Sequence, residues 1–73
     1  MPKIFIKEMD KIKKMILSLG AMAEERVRQS FKAVENKDAR MAEEIIKTDY
    51  EIDDAEVELE EECLKVLALH QPV

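Results

Sequence analysis

An apolar stripe in the second half of the chain restricts the fold more than any other feature. Its main members recur every seven residues, a period that places them on one face of a helix and excludes the alternation of a strand. One side of a long helix must therefore be buried. Smaller residues follow at three or four positions and widen the stripe, which comprises Ile45, Ile52, Leu59 and Val66 with Thr48, Ala55 and Cys63.

The first half of the chain has the same helical period. It predicts a single amphipathic helix from about Lys7 to Glu35, with Gly20 inside it. The segment Asn36-Lys37-Asp38 is the one good break, because Asn tolerates the left-handed conformation that ends a helix and Asp38 can cap the next one. A second helix is expected from about Ala39 to Leu69. The predicted buried positions of the first helix are Met9, Ile12, Ile16, Leu19, Ala23, Val27, Phe31 and Val34.

Composition and length favour an all-α fold that is not complete by itself. The chain has 73 residues with one Gly, two Pro and no Trp, which is typical of long helices with few turns. Two helices cover only one side of each other, and small scaffolds of this kind need further support. We therefore expect residues 1–73 to form one long antiparallel helical hairpin. Two hairpins are expected to form a homodimer, an antiparallel four-helix bundle, which would also cover apolar surface at Tyr50, Val57 and Leu64.

Charge and composition also argue against several partners and compartments. The net charge of −5 disfavours nucleic acid and anionic membrane surfaces, which would repel the chain. No apolar run approaches the roughly 18 residues of a membrane span, and no signal-peptide core is present. A single cysteine cannot form an internal disulfide, so the cytoplasm is expected. Cys63 is interpreted as a small core residue.

Any site of binding or catalysis is expected along the acidic side of the second helix. No Ser has a His within helical reach, and nothing gathers the arginines into a pocket, so an enzyme is not expected. Nine acidic residues and no basic one lie between Lys47 and Lys65. This row is either a solvated helix face or a place for cations. Asp49 and Asp53, one turn apart, would present hard oxygen ligands to iron, zinc or manganese.

The same stretch resembles a known family. From Asp49 onward, D-x-E-I-D-x-x-E-V-E-L-E-E-x-C-L-x-V-L-A-L-x-Q-P-V resembles the second helix of the PhoU repeat, found in regulators of bacterial and archaeal phosphate uptake. The stretch LSLGAMAEERVRQSFKAVENKDARMAEEII is similar, more weakly, to the first helix and turn of that repeat. The repeat is a three-helix bundle, and this chain stops at Val73, where the third helix is expected to begin.

This resemblance implies a function and a site. It implies phosphate-responsive control through protein contacts, damping a high-affinity phosphate ABC transporter and its sensor kinase. Family members carry E/D-x-x-x-D motifs that bind metal, and Asp49-x-x-x-Asp53 matches the motif of the second helix. The matching motif lies on the third helix, so a metal site made by this chain alone would be incomplete. The alternative is a purely structural hairpin that serves only in assembly.

Overall fold

The computed structural model describes residues 3–71. Three α-helices make up this part of the chain: α1 covers Lys3–Glu35, α2 covers Ala39–Lys47 and α3 covers Asp49–Leu69. α1 packs against both of the others in a rod with extents of 56, 16 and 13 Å. The predicted all-α hairpin is therefore confirmed, although α1 begins four residues earlier than expected. The Pro-Val end of the family motif lies outside the described residues.

The turn between α1 and α2 ends one helix and caps the next. The N–H groups of Lys37 and Asp38 donate to carbonyl oxygens in the last turn of α1, at 3.2 and 2.8 Å, which are the two bonds of a Schellman motif. Lys37 has the left-handed conformation, with φ 53°. The left-handed residue was expected at Asn36, so that prediction is wrong by one residue. Asp38 caps α2 as expected, because its carboxylate accepts a hydrogen bond from the N–H of Met41 at 3.0 Å.

The expected second helix is interrupted at one residue, Thr48. Its hydroxyl donates to the carbonyl oxygens of Glu44 and Ile45, at 3.1 and 3.2 Å, and such bonds back to the preceding turn bend helices. Thr48 is exposed, so its predicted place in the buried stripe is wrong. The stripe nevertheless keeps its register across the break. Its main members are all partly or fully buried: Ile45, Ile52, Leu59 and Val66.

On α1, the residues that meet α2 and α3 differ from the predicted stripe. Val27, Phe31 and Val34 were expected to be buried but are 69, 66 and 76% exposed. The row of α1 that faces α2 and α3 instead includes Arg26 and Gln29, which are half-buried. Because these two residues are polar, the apolar pattern alone predicts the neighbouring face of α1 to be buried. We call the contact between α1 and the stripe on α2 and α3 the seam. Its α1 side consists of Ile12, Met15, Leu19, Met22, Arg26, Gln29 and Ala33.

The hairpin has a thin core and a large exposed surface. Among the described residues only Ile12, Ala33 and Val66 are buried, at 6, 6 and 4% exposure. The accessible surface of 6241 Å² exceeds the roughly 4,700 Å² expected for a compact protein of this mass. The radius of gyration is 17.0 Å, against about 11 Å for a compact domain. No helix among residues 3–71 is long and apolar enough to cross a membrane.

The strained turn residue gives a stability test. Replacing Lys37 by Gly should stabilise the hairpin by up to about 1 kcal/mol, because Gly adopts the left-handed conformation without the steric penalty of a Cβ. For a chain of this size, this corresponds to a melting temperature higher by about 4–8 °C. Lys37→Ala is the control, since it removes the same side chain but keeps the Cβ. Equal melting temperatures for the two variants, measured by circular dichroism, would contradict the assignment.

Candidate functional site

The two long sides of the hairpin differ in chemistry. On one side, polar groups border the seam: Lys11 Nζ lies 3.4 Å from Glu62 Oε1, and Gln29 Nε2 donates to Glu25 Oε1 at 3.3 Å. A groove of about 210 Å³ on this side is lined partly by Glu25, Gln29 and Glu51. We call it the ion-paired side. Two of its acidic residues have basic partners within the hairpin, since Lys11 pairs with Glu62 and Arg28 pairs with Glu25.

The opposite side, which we call the open face, is mostly apolar where α1 forms it. This α1 wall consists of two rows at heptad spacing beside the seam, and Lys13 is its only charged residue. Small residues lie at its centre, where a Cβ added to Gly20 would meet no atom within 4 Å. The centre of the wall can therefore receive another helix closely. Its rows are Met9, Ile16, Ala23 and Ser30, and Lys13, Gly20, Val27 and Val34.

The other wall of the open face, formed by α2 and α3, carries carboxylates between apolar ends. We call it the α3 wall. Ile46 near the turn and Leu67 near the other end are 71 and 63% exposed. Four acidic residues lie between them, at the helical spacing that the sequence predicts. The rows of this wall are Ile46, Asp53, Glu60 and Leu67, and Asp49, Glu56 and Cys63.

Grooves at both ends show that the two walls share one side of the hairpin. Near the turn, Val34 and Ile46 line a groove of about 410 Å³. Near the other end, Met9 lines a groove of about 430 Å³ with Cys63 and Leu67. Exposed apolar surface at both ends of one side is typical of an interaction site. The open face is therefore the candidate functional site.

Arg26 connects the seam to the open face. Its guanidinium pairs with the carboxylate of Asp49, and its Nη2 donates to the carbonyl oxygen of Ile45 at 3.4 Å. The Arg26 side chain is 26% exposed and that of Asp49 is 53% exposed, so solvent partly screens the pair. One side chain thus contacts both segments that flank the break at Thr48, and it neutralises one carboxylate of the α3 wall.

The predicted metal ligands lie on this wall. Asp49 and Asp53 are one turn apart and both are exposed, and Asp49 is paired with Arg26. Carboxylates of this kind suit hard divalent and trivalent cations. However, residues 3–71 contain no group of three or more His, Cys, Asp or Glu side chains that could hold a metal ion. The chemistry of the two carboxylates fits part of a metal site, and a metal ion bound there would need further ligands from outside the described hairpin.

Cys63 lies outside its expected position, and His70 makes contacts that the sequence does not predict. Cys63 is exposed, so its predicted position in the core is wrong; it lies at the edge of the α3 wall. His70 follows α3, and its Nε2 lies 2.8 Å from Glu8 Oε2. Its ring also meets Phe5 edge to face, with centroids 4.9 Å apart. These contacts join the first turns of α1 to the end of α3.

Comparison with known proteins identifies the family. The family model of the PhoU domain matches residues 16–73. The chain belongs to the PhoU domain family. It is 37% identical over 71 residues to the phosphate-specific transport system accessory protein PhoU homolog of Clostridium acetobutylicum, covering 97% of this chain and 32% of that protein.

Other PhoU relatives agree with this assignment. The homolog of Aquifex aeolicus is 33% identical over 70 residues, which cover 96% of this chain and 31% of the relative. PhoU of Escherichia coli K12 is 28% identical over 68 residues, covering 93% and 28%. The chain thus spans about a third of the length of the curated PhoU proteins that it matches. Among solved structures, none matches the chain.

The role of Arg26 was not predicted from the sequence, in which Arg26, Arg28 and Arg40 lie near the turn among acidic residues. A signal was present, because Arg26 occupies the same heptad position as Ile12, Leu19 and Ala33. A charged residue in an otherwise apolar row needs a partner within reach, since burying a charge alone is costly.

The Arg26–Asp49 pair can be tested with a double-mutant cycle. Arg26→Gln and Asp49→Asn should show a coupling energy of about 0.5–1 kcal/mol, as expected for a partly exposed pair. The control cycle combines Arg28→Gln with Asp49→Asn, because Arg28 pairs with Glu25 instead, and it should show no coupling. Both cycles are measured by urea unfolding at one protein concentration. Equal coupling in the two would contradict the pairing.

Proposed function

We propose that the chain is a regulator of phosphate uptake and phosphate-responsive signalling that acts through protein–protein contacts in the cytoplasm, without catalysis. The observation that carries this proposal is the open face, an uncovered apolar surface in a chain of the PhoU domain family. The relatives are phosphate-specific transport system accessory proteins by name. The partners we propose are accordingly a phosphate ABC transporter and its sensor kinase.

The chemistry of the open face supports binding over catalysis. Its α1 wall is apolar and its α3 wall acidic, an arrangement that suits a protein surface with complementary charge. The hydroxyl of Ser30 is engaged, donating to the carbonyl oxygen of Arg26 at 2.8 Å. His70, which follows α3 at the far end of the rod, contacts Glu8. A second apolar stripe on the outer side of α3 offers further contact surface, with Tyr50, Val57 and Leu64 at 59, 50 and 66% exposure.

Phosphate uptake distinguishes this proposal from a purely structural hairpin. In cells lacking the gene, phosphate uptake should rise, and expression of the unchanged chain should lower it again. Val27→Glu should lose most of this effect, because it places a carboxylate in the middle of the apolar α1 wall, where burial on binding is costly. Uptake of labelled phosphate is the measurement.

Leu17→Glu is the matched control for that experiment. Leu17 is 73% exposed and lies outside the two rows of the α1 wall, so this substitution should leave most of the regulation intact. An unchanged uptake rate after deletion of the gene would favour the purely structural alternative. Equal loss with both variants would mean that the open face has no special part in regulation.

We also propose that Asp49 and Asp53 supply two ligands of a shared metal site for iron, zinc or manganese. Their support is their oxygen chemistry, their one-turn spacing and their place on the open face, where a partner could add further ligands. A bound ion would offset the repulsion between neighbouring carboxylates. Arg26 now supplies positive charge to Asp49, so metal binding would require this guanidinium to move.

Metal binding should appear as thermal stabilisation. A ligand that binds only the folded state adds about 2.7 kcal/mol at one hundred times its Kd, so Zn(II) or Mn(II) should raise the melting temperature by several degrees. The double variant Asp49→Asn, Asp53→Asn should abolish this rise. The control, Asp54→Asn with Glu58→Gln, removes two charges at the same spacing outside the α3 wall and should keep it. Identical responses from both double variants would refute the site.

A further inference from the structure

We propose that Arg26 is a latch that holds α1 to both sides of the break at Thr48, and that the latch opens when a divalent cation binds at Asp49. This inference rests on the metal site proposed above. It adds the residue that controls the cation affinity of that site and the change that binding makes in the hairpin. It does not depend on any role in phosphate control.

The latch consists of two contacts made by one side chain. The Arg26 guanidinium pairs with the carboxylate of Asp49, the first residue of α3. Its Nη2 also donates to the carbonyl oxygen of Ile45, in the last turn of α2, at 3.4 Å. In an unbroken helix this oxygen would accept from the N–H group four residues later, and here it accepts side-chain bonds from Arg26 and Thr48. Arg26 thus ties α1 to the end of one helix and the start of the next.

A cation at Asp49 would compete with Arg26 for one carboxylate. Both carry positive charge, and two like charges bonded to the same carboxylate repel each other. The Arg26 side chain is half-buried, so water and salt screen this repulsion less than they would on an open surface. Asp53 favours the cation, because it lies one turn further along α3 and none of the described ion pairs includes it. Asp49 therefore holds either Arg26 or the cation.

The released guanidinium has a second place in the hairpin. Arg26 also lines the groove of about 210 Å³ on the ion-paired side, together with Thr48 and Glu51. None of the described ion pairs includes Glu51, and its carboxylate can pair with a guanidinium that turns into this groove. Release therefore exchanges one carboxylate partner for another and does not leave a half-buried charge alone, which would be costly. Two arrangements of Arg26 are thus available, and the cation selects between them.

Opening of the latch changes how α2 is held. This helix has nine residues and none of them is buried, and a helix so short is not stable by itself in water. Without Arg26, the carbonyl oxygen of Ile45 keeps the side-chain bond from Thr48 alone. We expect the last turn of α2 to loosen, and this turn carries Ile46 of the α3 wall. Cation binding would therefore alter the open face near the turn, which is the surface that the proposed function uses.

Mn(II) affinity tests the competition. Arg26→Gln should raise the affinity about two- to fivefold, the strength of a partly exposed ion pair, and adding Asp49→Asn should remove the gain. Arg28→Gln is the matched control, because it removes the same charge from a residue that pairs with Glu25, and it should change the affinity far less. Free Mn(II) is measured by electron paramagnetic resonance at fixed ionic strength. A purely structural role of Arg26 would lower the affinity instead of raising it.

A spectroscopic test follows the latch in a chain that keeps Arg26. Cys63→Ala removes the only thiol, so that no thiol competes for Zn(II). In this chain Zn(II) should shift the NMR signal of the Arg26 Nε–H group, leave that of Arg28 in place and speed amide exchange in the last turn of α2. Asp49→Asn with Asp53→Asn should abolish these zinc effects. Unchanged or slower amide exchange in that turn would overturn the proposal.

Three outcomes would separate the latch from the proposals before it. Mn(II) binding that Asp49→Asn removes but Arg26→Gln does not raise would overturn the latch and leave the metal site. An absence of Mn(II) binding by both the unchanged chain and Arg26→Gln would overturn the metal site and the latch together. Unchanged phosphate uptake after deletion of the gene would refute the proposed regulation and leave the latch standing.

Discussion

The structure depends on a single apolar seam between α1 and the helices that follow it. A helix of this kind buries one stripe against one neighbour, and two helices alone cannot enclose a core. Ile12, Ala33 and Val66 are the only buried residues of the described hairpin. The thin core, the elongated shape and the uncovered apolar walls all follow from this limit. The chemistry of the open face is what distinguishes this hairpin from any other amphipathic pair.

Polar groups decide which side of the seam is closed and which is open. On the ion-paired side, Lys11 reaches Glu62 across the two helices. On the open face, Arg26 neutralises Asp49, while the described ion pairs include none of Asp53, Glu56 and Glu60. An apolar wall and an acidic wall therefore lie side by side, and most of the negative charge of the acidic wall has no described ion pair within the hairpin. The proposed function uses this surface as a place for contacts with other proteins.

Much of this architecture was predictable from the sequence, for definite physical reasons. Heptad spacing from Ile45 to Val66 fixed one helix face, and Asp38 marked the start of the second helical segment. The contact face of α1 was harder to predict, because it contains Arg26 and Gln29, which an apolar pattern does not include. The break at Thr48 depends on side-chain hydrogen bonds that no periodicity reveals. Cys63 was misplaced because an apolar residue at the edge of a stripe has the same spacing as one inside it.

The contact of His70 with Glu8 and Phe5 has a topological consequence. It brings the beginning of α1 and the end of α3 together at the end of the rod opposite the turn. The two ends of the described chain therefore lie close together, and the packing of the helices depends little on their order along the chain. A short linker between the two ends, with the chain opened at Lys37, would give a circular permutant that keeps every seam contact.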